Sequence, residues 1–254
     1  MKMLILALAA VGLTGCATPE PASAGLVDFS VVDRATGEQL KVYSHAGNYY
    51  VAGKPGDRYA IRVHNRTGGR VLTVVSVDGV NVVTGQTASP HQGGYVLSAY
   101  ESHEITGWRK SLDQVAAFYF TSLPDSYAAR TGRPANVGVI GVAVYRERVE
   151  RPTVSLSRMR AADAPSPAAE SSSMGAASAP MRRQREDRIG TGHGEREHSH
   201  VTTTEFRRDS RTPAQVMTIY YDSYRNLAAR GIIPVYPAKR PNPFPGNFVP
   251  DPHG

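Results

Sequence analysis

The sequence predicts a mainly β protein, an antiparallel β-sandwich or jelly-roll-like fold, with one C-terminal α-helix after a disordered linker. Three observations carry this. Short runs rich in Val, Tyr and Thr alternate apolar with polar residues, and Gly, Pro, Asn or Asp separates them. Glycine (24) and proline (18) are frequent enough to favour turns over long helices. Past residue 150 the composition changes to Ala, Ser, Pro and Arg with almost no large apolar residue.

Taken in order, weaker strand signals lie near 26–33, 39–44 and 48–52. "DRYAIRVHN" (57–65) sets Tyr59, Ile61 and Val63 against Ala60, Arg62 and His64, a half-buried strand. "VLTVVSVDGVNVVTG" (71–85) is a hairpin, because Asp78-Gly79 supplies the positive φ of a tight primed turn. Two further weak strands fall at 94–98 and 102–108. "QVAAFYFTS" (114–122) and "VGVIGVAVYRER" (137–148) are apolar on both faces, as central strands are. About ten such strands make a sandwich domain over 26–150.

Residues 151–188 cannot bury enough apolar surface to offset their ordering entropy and are expected to be a disordered linker. Order is expected again over 189–231, as a strand plus a helix docking on the sandwich. "HVTTTEFRR" (200–208) reads as a Thr-rich strand. Thr212 to Ala229 reads as a helix, with Thr212 at the N-cap, Pro213 at the first position, Gln215 completing a capping box and Gly231 at the stop. Its apolar face is Val216, Ile219, Tyr220, Tyr224 and Leu227. The Pro-rich tail, 232–254, is expected to be extended.

The N-terminus gives an address. Lys2 precedes a short apolar run, Met3 to Leu13, too short for a membrane span of about 20 residues but suited to a cleaved signal peptide over 1–15. The only cysteine follows, in "LTGC" (13–16), which resembles the lipobox of bacterial lipoproteins. The resemblance implies cleavage before Cys16, a diacylglyceryl thioether on its sulfur and an acylated (typically palmitate) amine. Residues 16–25 are then a lipidated N-terminus and tether. It further implies a cell-envelope protein, anchored in the outer membrane by lipid and facing the periplasm. Several acyl chains, at about 0.8 kcal/mol per buried methylene, make that attachment tight. The strand-rich body resembles uncharacterised envelope lipoproteins in general character, which implies no activity.

Charge narrows the partners. The formal net charge is +7, yet residues 26–150 carry 13 Lys/Arg against 11 Asp/Glu, so most of the surplus lies later in the chain. Positive charge suits solubility, anionic lipid or a cell-wall polymer; export argues against nucleic acid. No G-x-S-x-G elbow, H-E-x-x-H helix or phosphate-binding Gly-Lys loop is present. The expectation is a non-enzymatic binding or accessory assembly module meeting the membrane and an envelope protein or cell-wall polymer, without a cofactor. The alternative is a metal-dependent or sugar-directed envelope enzyme using residues 193–200.

That alternative rests on "GTGHGEREHSH" (190–200), where His193, His198 and His200 lie beside Glu195 and Glu197 and can ligate a divalent transition metal. A second candidate is the loop 123–136, where Tyr127, Arg130 and Arg133 can hold an anionic or sugar ligand, or where "PDSYAAR" forms one helical turn that plugs the sandwich with Tyr127 inward. The third is Trp108, the sole tryptophan, beside Arg109 and Lys110; it either stacks on a ligand or fills the core.

Overall fold

The computed structural model describes residues 25–149 and 188–234. Cys16 and the lipobox, most of the expected linker and most of the Pro-rich tail lie outside the described residues.

The fold is a mainly β sandwich, as the alternating runs predict. One layer is a seven-stranded sheet in the order β2 (Val42–His45), β3 (Asn48–Gly53), β15 (Gln215–Ser223), β12 (Val139–Arg146), β5 (Val71–Val77) and β6 (Val80–Asn81); β7 (Tyr95–Leu97) also pairs with β5. The facing layer has three smaller sheets. They are β1 (Val27–Asp33) with β4 (Tyr59–Asn65) and β8 (Ser102–Ile105); β9 (Gly107–Arg109) with β10 (Gln114–Ala117) and β14 (Arg196–His198); and β11 (Phe120–Ser122) with β13 (Ile189–Thr191). Every pairing is antiparallel except that of β15 with β3.

The core lies between the layers. Tyr59, wholly buried, stacks between Phe118 and Phe120, with ring centroids 5.3 and 4.4 Å away. Val31, Ile61, Ile140, Val142 and Ile219 fill the space around them. The β5–β6 hairpin turns at Asp78 (φ 53°) and Gly79 (φ 73°), the positive-φ pair expected of "DG".

The C-terminal segment corrects the sequence reading. Residues 215–223 are a strand, not the first half of a helix, and α2 covers only Tyr224–Ala229, capped by Ser223. The stretch "QVMTIYYDS" is rich in β-branched and aromatic residues, and a berth between β3 and β12 outweighs the capping signal at Thr212. Met217, Ile219 and Tyr221 face the core with period two. The segment 201–207 is not a ladder strand; only Arg208 bridges, to Glu147. Phe206 and the Arg208 guanidinium cover Tyr145 on the outer face of β12. Order also runs past residue 231, because Ile232 and Ile233 pack with Leu227 on Tyr50.

Candidate functional site

Two strands leave open edges that face each other. In the β1–β4 ladder, Leu26 accepts from the Arg66 N–H, so the even residues of β1 bond to β4 and the odd ones point away. Beyond that edge, Leu40 N–H donates to the Val31 carbonyl, while the peptide groups of Phe29 face a groove. In β15, Tyr221 N–H donates to Gly138, so the odd residues bond to β12 and the even ones point away. β3 joins β15 only from Tyr220 onward, which leaves the peptide groups of Val216 and Thr218 facing the same groove. Among the described residues none of these three residues has a backbone partner on that side.

The groove between the edges has a volume of about 700 Å³. Its apolar lining includes Val27, Phe29, Val42, Tyr49, Met217 and Ile219. One end is closed by the Gln215 side chain. Its Oε1 accepts from Leu26 N–H (2.6 Å) and Val27 N–H (3.1 Å), and its Nε2 donates to the Val27 carbonyl (3.2 Å). An amide side chain thus makes the bonds that the peptide group of an adjoining strand makes. Gly25 is needed for this plug, since a Cβ there would fall 2.1 Å from Gln215 Nε2.

The residues singled out in sequence meet different fates. Trp108 is a correction to the ligand-stacking expectation: it is 3% exposed, packs edge-on against Phe118 and donates from Nε1 to the Gly192 carbonyl at 3.1 Å. An indole buried and bonded in this way fills the core. Tyr127 begins the single turn α1 (Tyr127–Arg130), capped by Ser126, which closes the sandwich end. Its half-buried ring lies between Trp108 (4.8 Å) and His193 (5.4 Å). Arg133 reaches over the same ring and donates to the Gly85 carbonyl at 3.0 Å, while Arg130 is exposed.

The three histidines do not converge. His193 packs at a tilt against Tyr127, His198 stands exposed opposite Gln114 in the β14–β10 ladder, and His200 Nδ1 lies 2.7 Å from Asp113 Oδ1. Glu195 and Glu197 are engaged by Arg58 at 2.7 and 2.9 Å, and Glu197 also by Arg34 at 2.7 Å. Among the described residues no group of three or more His, Cys, Asp or Glu is placed to hold a metal ion.

Sequence reasoning missed Asp78 as more than a turn residue. Its Oδ1 accepts from Gly138 N–H (2.9 Å) and the Tyr221 hydroxyl (2.5 Å), and its Oδ2 from Thr191 N–H (2.8 Å). The Thr191 hydroxyl lies 2.6 Å from that of Tyr59 and 2.7 Å from that of Tyr221. Burial pushes the Asp78 carboxyl up to about 6, against these hydrogen bonds, and raises both tyrosines well above their usual range. The network is sealed from solvent and binds the two chain segments together.

The fold and groove define a β-sandwich with an open, strand-wide slot. No family model, curated protein or solved structure matches the chain.

Proposed function

We propose that the protein is a lipid-anchored envelope module that binds an extended segment of a partner polypeptide between β1 and β15, without catalysis. The observation that supports this is the pair of facing open edges, closed at one end by a glutamine that imitates a peptide group. Unpaired edges recruit another strand through main-chain hydrogen bonds, and pockets along the groove select alternate side chains. The partner segment is therefore extended, with an apolar side chain at every second position directed at Phe29, Met217 and Ile219. Lipidation at Cys16 would hold the slot at the periplasmic face of the outer membrane, where envelope proteins pass or assemble.

Val216→Pro tests the slot. Proline removes the N–H aimed at the groove and leaves the β12 ladder untouched, a substitution that edge positions tolerate. Cross-linking pull-down of the lipidated protein from its own membranes should recover a partner that Val216→Pro loses while its thermal unfolding stays unchanged. Full partner recovery by a normally folded Val216→Pro variant would remove the slot from the function. The anchor has its own test: Cys16→Ala should leave an unprocessed precursor without fatty-acid label. A trimmed, membrane-bound Cys16→Ala product would overturn the lipoprotein reading.

A further inference from the structure

A row of tilted ring contacts, Trp108 to Tyr127 to His193, runs from the core to the surface and ends among cations, on elements that do not line the slot. In the β9–β10–β14 sheet, Trp108, Ala116 and Arg196 are direct partners, so their side chains share one face. Lys110 follows Trp108 by two residues and stays tied to β10, its N–H donating to the Gln114 carbonyl. Arg130 ends α1, three residues after the Tyr127 whose ring lies against His193. Burial first, and then the charges of Lys110, Arg130 and Arg196, lower the pKa of His193, so all three cations act on one imidazole. Among the described residues no acidic group is among those acting on it. The carboxylates on either side of Arg196, those of Glu195 and Glu197, are held by Arg58 and Arg34. Lys110, Arg130 and Arg196 have no ion-pair partner among the described residues, and all three are exposed.

We propose that this face is a phosphate-binding site, with the His193 imidazole and the Lys110, Arg130 and Arg196 side chains converging on one phosphate group. Three uncompensated cations around one half-buried ring call for more than a single negative charge, and a phosphate monoester carries about −1.5 to −2 near neutral pH. The Tyr127 ring backs the imidazole on its inner side. The phosphate belongs either to a monoester lipid headgroup or to a free or chain-terminal monoester; the recognising chemistry is the same.

The test is an NMR titration of the lipidated full-length chain in detergent, at constant ionic strength balanced with chloride. Inorganic phosphate should give saturable shifts centred on His193, Lys110 and Arg196. Exchanging Lys110→Gln, Arg130→Gln and Arg196→Gln together should weaken binding by about tenfold or more, since a hydrogen bond to a charged group contributes at least that factor. Arg148→Gln with Arg211→Gln, at another basic cluster, should leave the affinity unchanged. Tighter binding of glycerol 3-phosphate, the monoester headgroup of phosphatidic acid, than of inorganic phosphate assigns the site to a lipid headgroup, and the reverse order to a free phosphate. Linear, non-saturating shifts, or equal weakening by the control pair, would overturn the proposal.

Discussion

Asp78 shows how much a single residue's role depends on partners remote in sequence. Its place in a tight turn is legible, because Asp-Gly takes positive φ readily. Its burial is not, because its partners Gly138, Thr191 and Tyr221 stand 60, 113 and 143 positions away. The same holds for His193 and Trp108: their chemistry was visible, but which side of the surface each lay on was decided by α1 and β14. Asp78 also carries a pH signature. Its carboxyl titrates near 6 when folded and near 3.8 when unfolded, so the folded state binds the proton more tightly. Stability therefore falls as pH rises from about 4 to 6 and stays lower above that window, by on the order of 3 kcal/mol from this group. Asp78→Asn has no proton to exchange. Denaturant unfolding at about pH 4.5 and about pH 7 should show a smaller pH difference for Asp78→Asn than for the natural protein, whatever its absolute stability. An unchanged difference would mean the carboxylate is ionised at no cost.

At the scale of elements, most strands from β1 to β12 were legible in their apolar runs and turn chemistry, but 102–108 and 114–122, each read as one strand, divide into β8 and β9 and into β10 and β11, with the halves in different sheets. β15 was not. Val216, Ile219, Tyr220, Tyr224 and Leu227 satisfy a helical spacing, and Thr212-Pro213 supplies a helix start, so the local signal is ambiguous. What decides it is non-local: β3 and β12 present two edges one strand apart, and β15 completes both ladders. The slot was invisible for the same reason, since one of its walls is the strand read as helix. The strand reading makes its own demand on Ile219. On a helix docked outside the sandwich its loss would loosen a peripheral contact; in β15 it is 5% exposed in the main core. Ile219→Ala should cost about 2–5 kcal/mol and lower the melting temperature of the whole fold in a single transition. Two transitions, with only the later segment destabilised, would argue that β15 lies outside the cooperative core.

For the whole molecule, the composition break past residue 150 suggested two parts, and in the fold those parts interpenetrate. β13 pairs with β11, β14 with β10, and β15 stands between β3 and β12, so the segment after residue 188 supplies strands to both layers. The Asp78 network ties the same segment to the β5–β6 turn and to Gly138. Covalent continuity through 151–187 is therefore not what holds the two parts together. A protease site inserted between Arg160 and Arg182 tests this directly. After cleavage in the native state, the two pieces should co-elute as one particle on gel filtration and unfold in one calorimetric transition, because every ladder remains intact. Deleting residues from 188 onward should act in the opposite way. It strips the partner from one edge of β12 and one edge of β3 at the centre of the large sheet, and such edges drive aggregation. If the cleaved pieces instead separate, and residues 25–149 remain a soluble monomer, the strands after residue 188 are an exchangeable insert and not part of the cooperative fold.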